Sequence, residues 1–350
     1  MDIRSDTVTR PTAAMREAMM NAPVGDDVYD EDPTIHELEA RGAELLGQEA
    51  ALFCVTGSMA NLLGIWCDVP RGAEVCCDAQ AHIVRAELGA HAVLHGVTTR
   101  TWSAPRGVAD LDLIASFVAL PASHLVGTAA IELENTHNFG GGSIQPLETV
   151  AAVSAFAAEH DIALHLDGAR MANACVATGH KLADYGSLAT TVTLCLSKGL
   201  GAPIGTLLAS SKENIARARV QRKRLGGGWR QAGILAAAGI YALEHHIDRL
   251  ADDHRAAALL ADEVARRAPQ AIATPPETNI VVIDTGKRSS ADVIAAAARH
   301  DVRISGVGPH TVRAVTHLGV SAEECVAAGQ VIGEVLADGS AGEENQGVSA

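Results

Sequence analysis

The segment Ile162-Ala-Leu-His-Leu-Asp-Gly-Ala-Arg-Met171 joins a short apolar run to a glycine turn and the start of a helix. Similar runs recur on both sides of it, separated by helical stretches. The runs are 129–133, 162–166, 192–196 and 206–209, and the stretches include 146–160 and 212–225. This alternation predicts an α/β fold with a mainly parallel sheet covered by helices. Asp167 then lies at the carboxyl end of a strand, where open α/β sheets bind ligands.

The whole chain has 350 residues, enough for a large domain and a smaller one. We expect residues 1–245 to form the large α/β domain and 246–338 a small α+β domain. One long Ala-rich helical region is expected from after Trp229 to Ala268, across this boundary. Residues 1–12 are expected to pack at the active site or against the small domain. The tail, 339–350, lacks a periodic apolar face and is expected to be flexible.

Charge and composition exclude several classes of protein. The net charge of −15 disfavours nucleic-acid binding, which needs a basic face. The one cationic run, residues 217–224, has no interleaved aromatic side chains and is interpreted as a solvated helix face or a subunit contact. The longest apolar run, 232–243, is too short to span a bilayer. Seven cysteines without CxxC spacing indicate reduced thiols, so we expect a cytoplasmic protein.

Two charged residues at the ends of expected strands are candidates for a role in catalysis or cofactor binding. Lys198 follows an apolar run and stands among glycines in Leu194-Cys-Leu-Ser-Lys-Gly-Leu-Gly201. A desolvated lysine can attack a carbonyl and form a Schiff base; the alternative is an ordinary lysine in a surface loop. Asp167 can pair with a protonated heterocyclic nitrogen, as pyridoxal phosphate requires; the alternative is a cap on the next helix.

A third element is Thr56-Gly-Ser-Met-Ala-Asn61, between an apolar run at 50–55 and a helical stretch. Gly57 lets backbone N–H groups approach an anion, Ser58 offers another donor, and the helix that follows presents its N-terminus. Strand, glycine turn and helix in this order predict a phosphate site. The motif alone is common, and it supports a phosphate site here because Lys198 and Asp167 lie downstream.

Taken together, these motifs resemble the low-specificity L-threonine aldolases, which are pyridoxal-phosphate enzymes of the aspartate aminotransferase fold. The resemblance covers about residues 2–335. Its blocks are RSDTVTRPT from Arg4, PVGDDVYDEDP (23–33), TGSMAN (56–61), ELENTHN (132–138), DGAR (167–170), SKGLGAP (197–203), GGGWRQAGILAAAGIYAL (226–243) and VRAVTHL (312–318).

The resemblance implies a role for each matching residue. Lys198 matches the lysine that binds the cofactor aldehyde, Asp167 the carboxylate at the pyridinium nitrogen, and Arg170 an arginine near the cofactor and the substrate carboxylate. Cofactor phosphate contacts are implied for Gly57, Ser58 and Arg230, the last across a subunit boundary. Substrate carboxylate contacts are implied for Ser5 and Arg313. His82 matches a histidine stacked on the cofactor ring, and His124 a second one near the substrate hydroxyl.

The resemblance also implies a reaction: cleavage of L-threonine, L-allo-threonine and other β-hydroxy-α-amino acids to glycine and an aldehyde, with His82, His124 or a water between them as base. β-Elimination, racemisation and a non-catalytic cofactor-binding protein remain alternatives. A homo-oligomer is implied, a tetramer in preference to a dimer, with active sites at a dimer interface. The preferred substrate, the threo/erythro selectivity and any bound metal are left open by the sequence.

Overall fold

The computed structural model describes residues 1–120, 122 and 124–341 of the chain. These divide into two compact units. The large unit comprises Pro11–Ile247, and the small unit combines Met1–Arg10 with the chain from Asp248 onward. Residues 1–12 are thus split between the units, and the boundary lies close to the one expected at 245/246.

A sheet of seven strands forms the large unit. The strands are β1 (Ala50–Cys54), β2 (Glu74–Asp78), β3 (Thr98–Trp102), β4 (Thr128–Glu134), β5 (Ala163–Asp167), β6 (Thr191–Cys195) and β7 (Thr206–Ser210). Their order in the sheet is β1-β7-β6-β5-β4-β2-β3. β7 pairs antiparallel with both β1 and β6, while the pairs from β6 to β3 are parallel. The predicted α/β class is confirmed, and the sheet is mainly parallel with one reversed strand.

Ten α-helices lie in the described residues of the large unit. They are α1 (Ala13–Met20), α2 (Pro33–Leu46), α3 (Gly57–Asp68), α4 (His82–Arg85), α5 (Leu111–Phe117), α6 (Leu147–Glu159), α7 (Met171–Thr178), α8 (Leu182–Gly186), α9 (Lys212–Arg224) and α10 (Gly233–His245). A π-helical turn spans His91–His95, and 3-10 turns span Asp27–Tyr29 and Pro105–Gly107. In the described chain, no helix combines the length and apolar character needed to cross a bilayer.

The local sequence explains where α3, the helix that matters most for the site, begins. The hydroxyl of Thr56 caps α3 by accepting from the N–H of Met59 at 3.1 Å. After that turn, α3 buries Leu62, Leu63 and Ile65 against the sheet. It packs against β5, β6 and β7, so its N-terminus is fixed beside the carboxyl ends of β5 and β6.

The small unit has a three-stranded antiparallel sheet covered by helices. Its strands, in sheet order, are β8 (Ile280–Asp284), β10 (Thr311–Val315) and β9 (Ser305–Gly308). Its helices are α11 (Leu250–Arg267), α12 (Ser290–Ala298) and α13 (Ala322–Ala341), with further 3-10 turns at Asp6–Val8 and Pro269–Ala271. Side chains from all of the helices and strands of this unit except β9 share one apolar core with Ile3.

Three features differ from the sequence-based expectations. The Ala-rich region after Trp229 forms two helices, α10 and α11, with a break between them. The last helix, α13, continues through Ala341 into the segment expected to be flexible, and residues 342–350 lie outside the described residues.

The cationic run is the third difference, because part of it is not solvated. Arg222 is buried, pairs with Asp27 at 2.5 Å and donates to the Phe53 carbonyl at 2.7 Å. Arg219 contacts the same aspartate and Glu39. These arginines join α9 to α2 and to the polar loop before it, which the cationic run alone did not reveal.

Candidate active site

Asp167, the last residue of β5, is the most constrained carboxylate of the site. It is 1% exposed. Its Oδ1 accepts from the N–H of Ala169 at 3.0 Å and the hydroxyl of Thr193 at 3.3 Å, and its Oδ2 accepts from the amide of Asn61 at 2.8 Å. Burial alone would raise the pKa of Asp167, but the nearby charges of His82 and Lys198 lower it below its ordinary value. Asp167 is therefore held as a buried, ionised acceptor.

The turn after Asp167 leaves no room for a side chain. An added Cβ at Gly168 would lie 2.1 Å from the Thr193 carbonyl oxygen, so only glycine fits at this position beside the end of β6. This close approach brings the carboxyl ends of β5 and β6 together. Gly168 thus allows the Asp167 carboxylate to lie close to the loop that carries Lys198.

Lys198 follows β6, and its charge acts on the pKa values of both Asp167 and Cys195. The Cys195 thiol is buried, which raises its pKa, while Lys198 lowers it. An added Cβ at Gly57 would lie 3.0 Å from the Cys195 sulfur. Lys198 therefore belongs to the same end of the sheet as the first turn of α3.

That first turn offers backbone donors. Among the described residues, no acceptor contacts the N–H groups of Gly57 and Ser58, as is usual for the first residues of a helix. The helix dipole adds a partial positive charge at this point. Lys198, a helix N-terminus and an ionised carboxylate are the groups that would hold an aldehyde, a phosphate and a protonated ring nitrogen, so the residues present fit pyridoxal phosphate.

His82 is joined to Asp167 by a chain of three hydrogen bonds. Its Nδ1 lies 2.8 Å from Oε1 of the buried Glu87, and the same oxygen accepts from the Asn61 amide at 2.9 Å. The other hydrogen of that amide goes to Asp167. Burial lowers the pKa of His82, but Glu87, Asp167 and Glu134 outweigh it and raise the pKa above its ordinary value.

Because Nδ1 faces a carboxylate, the neutral His82 ring carries its hydrogen there. Nε2 then keeps a lone pair, and this edge of the ring is the one able to accept a proton. The side chain of His82 is 25% exposed, whereas that of Glu87 is 2% exposed. The arrangement is that of a base oriented by a buried carboxylate.

Arg170 is anchored by a second set of contacts. It is buried, and its Nη1 donates to Oδ1 of Asn138 at 3.2 Å. The N–H groups of Asn138 and His82 both donate at 2.9 Å to the Glu134 carboxylate. Glu134 therefore ties the arginine and the histidine to the end of β4.

The ligand atoms of His82, Glu87 and Asp167 lie within 4.8 Å of one another, a spacing that a cation could use. The hydrogen bonds through Asn61 already account for this arrangement, because the amide donates to both carboxylates.

Ser5 and Arg313 both belong to the small unit, where the structure places them close in the fold. The Ile3 carbonyl accepts from the N–H of Val315, so the N-terminal segment runs beside β10. The Ser305 hydroxyl lies 3.1 Å from the Arg4 carbonyl oxygen and 3.4 Å from that of Arg313. These contacts bring together the backbone segments that carry Ser5 and Arg313, and binding of a substrate carboxylate by the two side chains stays a prediction.

Among the described residues of the large unit, two expected site residues are not brought to Asp167. His124 is exposed in the turn that precedes β4, while Asp167 pairs with Glu134 at the other end of that strand. Seven residues of strand separate the two positions, about 20 Å. Arg230 is 65% exposed and pairs with Asp26 at 3.1 Å. A role for either side chain at the site stays a prediction that requires a second copy of the chain.

Sequence reasoning missed the residues that connect the named ones: Asn61, Glu87, Glu134 and Asn138. A signal was present for Asn61, a polar side chain one turn after Gly57 in an otherwise apolar helix. Another was the spacing of Glu132 and Glu134 in a strand expected to be buried, because buried carboxylates need partners.

The chain is similar to a known protein family and to individual proteins within it. The model of the beta-eliminating lyase family matches residues 2–287. The low specificity L-threonine aldolase of Escherichia coli strain K12 is 42% identical over 325 residues, covering 93% of this chain and 96% of that protein. The low-specificity L-threonine aldolase 1 of Arabidopsis thaliana is 41% identical over 300 residues, covering 83% of this chain and 84% of that protein.

Among solved structures, that of Leishmania major threonine aldolase superposes with a TM-score of 0.82 at 21% identity, covering 96% of this chain and 99% of that one. The chain has the fold of the pyridoxal-phosphate-dependent enzymes of the aspartate aminotransferase class. Within that class, the chain belongs to the beta-eliminating lyase family, and the resemblance to threonine aldolases is confirmed.

Proposed function

We propose that this chain is an aldolase that cleaves L-threonine, L-allo-threonine and other β-hydroxy-α-amino acids to glycine and an aldehyde. The reaction is a retro-aldol cleavage of the Cα–Cβ bond and is reversible, so the enzyme is a carbon–carbon lyase. The observation that carries the proposal is the chain from His82 through Glu87 and Asn61 to Asp167, which sets a base and an ionised acceptor in one site. Relatives named L-threonine aldolases at about 42% identity support it.

The cofactor is pyridoxal phosphate, which supplies an electron sink for the bond that breaks. Lys198 is the amine that holds it, Gly57 and Ser58 bind its phosphate through backbone and hydroxyl donors, and Asp167 keeps a proton on its ring nitrogen. Arg170 lies near its oxygen and the substrate carboxylate. Arg230 reaches the phosphate of a neighbouring subunit.

The substrate is oriented by its carboxylate and cleaved by loss of its hydroxyl proton. Ser5 and Arg313 would bind the carboxylate and so fix which bond at Cα is presented for cleavage. His82 would accept the β-hydroxyl proton at Nε2, directly or through a water, and would contact the cofactor. His124 of a neighbouring copy is the second candidate for this base.

The assembly and location are part of the proposal. A homotetramer with active sites at a dimer interface agrees with the surface positions of His124 and Arg230, neither of which meets Asp167 in its own chain. The protein acts in the cytoplasm, in amino-acid metabolism. Sedimentation of the native protein separates a tetramer from a dimer.

A product assay tests the function. Purified protein is given L-threonine, L-allo-threonine, L-serine and L-phenylserine, and aldehyde, glycine, ammonia and D-amino acid are measured. Stoichiometric glycine and aldehyde support the proposal, whereas ammonia or D-amino acid as the main product supports β-elimination or racemisation. Lys198→Ala should abolish turnover, and Lys212→Ala on the exposed start of α9 is the control. Substantial aldolase activity in Lys198→Ala would refute the assigned role.

A further inference from the structure

The hydrogen bonds of Asp167 continue into the interior of the large unit. The Asn61 amide that donates to Asp167 at 2.8 Å has its Oδ1 at 3.3 Å from Nε2 of His165. The Nδ1 of His165 lies 2.7 Å from the hydroxyl oxygen of Thr191, which lies 2.5 Å from Oδ2 of Asp68. Asn61, His165 and Thr191 are all buried. Asp68, at the last turn of α3, is partly exposed.

The direction of these bonds is set by the Asn61 amide. Its nitrogen faces two carboxylates, Glu87 at 2.9 Å and Asp167 at 2.8 Å, so a flipped amide would place its oxygen against two acceptors. The amide oxygen therefore faces His165 and the Thr193 hydroxyl, each at 3.3 Å, and its contact with the ring is favourable only with a hydrogen on the Nε2 of that ring.

Only one set of hydrogen positions satisfies the remaining hydrogen bonds, from His165 to Asp68. Burial lowers the pKa of His165 to about 4, so the ring is neutral near pH 7 and carries a single hydrogen. With that hydrogen on Nε2, Nδ1 is an acceptor and the Thr191 hydroxyl donates to it. The oxygen of Thr191 then needs a donor from Asp68, which must be a protonated carboxyl.

We propose that a directional hydrogen-bond relay through the large unit positions Asp167 as an acceptor for the cofactor nitrogen. Its members, in order from the cofactor side, are Asn61, His165, Thr191 and Asp68. They are positioning residues, since they act through Asp167. Gly64 makes room for the relay, because an added Cβ there would lie 2.5 Å from Cε1 of the His165 ring.

The outer end of the relay can exchange its proton with solvent. Burial raises the pKa of Asp68 to about 7, against the opposing effects of the Thr191 hydroxyl and the Arg217 charge. The charged and titratable groups that act with it are Arg217 of α9, whose guanidinium lies over the Trp66 ring, and the thiol of Cys67.

Loss of the Asp68 proton reverses the order of the bonds. The Thr191 hydrogen turns to the carboxylate, and the single hydrogen of His165 moves from Nε2 to Nδ1, so only the proton of Asp68 leaves the protein. Nε2 then presents a lone pair to the Asn61 oxygen at 3.3 Å, which weakens the hold on Asp167. The relay couples a partly exposed acid to the acceptor under the cofactor.

Nitrogen-15 spectra of the histidine rings test this in the full-length protein without cofactor, with His165→Gln to assign the signal. Between about pH 6 and about pH 8, a unit on each side of the Asp68 pKa, we expect the protonated nitrogen of His165 to change from Nε2 to Nδ1. Asp68→Asn keeps an N–H donor for Thr191 and cannot titrate, so its His165 should carry the hydrogen on Nε2 throughout. The same nitrogen protonated at both pH values in the wild type overturns the relay.

A second measurement is the dissociation constant for pyridoxal phosphate. Thr191→Val removes the relay hydroxyl and should weaken cofactor binding by about tenfold, as losses of outer-shell partners do. Thr190→Val, in the neighbouring residue outside the relay, is the matched control and should bind as the wild type does. Equal affinities of the two variants would contradict the proposal.

This inference rests on the proposed role of Asp167, and the two can fail separately. A constant His165 ring state with normal aldolase activity would refute the relay alone. A relay that titrates as expected in a protein without aldolase activity would refute the proposed function alone.

Discussion

Replacing Glu87 with Gln is the sharpest test of how the site sets its base. The carboxylate is buried beneath the His82 ring, 2.8 Å from Nδ1, and is one of the groups that raise the His82 pKa. Glutamine keeps the size and an acceptor oxygen but removes the charge. The pKa of His82 should therefore fall, because the protonated ring loses its nearest negative partner.

The size of the change follows from Coulomb's law. Unit charges about 4 Å apart interact by about 4 kcal/mol at an effective dielectric constant of about 20. Solvent reaches the imidazole, which is one quarter exposed, so we expect about half of this to survive. A loss of about 2 kcal/mol lowers the His82 pKa by about 1.5 units.

The assay is the pH dependence of kcat/KM for L-threonine, with the pKa of His82 followed in parallel by NMR. A base acts only when unprotonated, so a lower pKa moves the acid side of the profile to lower pH. Glu87→Asp, which keeps the charge, is the matched control and should leave the acid side near its wild-type position. If Glu87→Gln leaves both the profile and the ring titration unmoved, Glu87 does not set the protonation of His82 and our account of the base is refuted.

Four further substitutions test other parts of the structure. Asp167→Asn removes a buried charge and should weaken pyridoxal phosphate binding by about 10- to 100-fold, measured by absorbance during dialysis; unchanged binding would argue against its pairing with the ring nitrogen. Gly64→Ala places a methyl group against the His165 ring and should lower the free energy of unfolding by about 1–3 kcal/mol in urea; a neutral effect would mean that the ring can move aside. Arg222→Met breaks a buried ion pair and should cost about 3–5 kcal/mol, whereas Arg230→Met, at an exposed pair, should cost about 0–1 kcal/mol; equal losses would contradict the difference in burial.

The strands that carry the chemistry were predictable because they are continuous apolar runs in a buried sheet. β4, β5, β6 and β7 lie within one residue of the bounds read from the sequence. β2 and β3 were not predicted. β2 contains Glu74, Cys76, Cys77 and Asp78, and β3 is the edge strand Thr-Thr-Arg-Thr-Trp, so neither shows an apolar run.

The residues of the site also divide into those that could be predicted from the sequence and those that could not. Lys198 and Asp167 could be found because each follows a recognisable strand, and strand ends meet at one edge of a parallel sheet. Asn61, Glu87 and Glu134 could not be placed, because their roles depend on which side chains three separate segments bring within hydrogen-bond distance. His124 shows the converse: it precedes the run 129–133 and so lies at the end of β4 away from Asp167, although it matches a residue of the site in related sequences.

The reversed strand β7 has a consequence for how the lysine loop forms. β6 and β7 are joined by the ten residues 196–205, and Cys195 pairs directly with Thr206. The loop that carries Lys198 is therefore clamped at both ends by neighbouring strands of one hairpin. Closing so short a loop costs little entropy compared with the distant pairing of β1 with β7. Lys198 is thus held by contacts that are local in sequence, so its placement does not depend on the chain termini being assembled first.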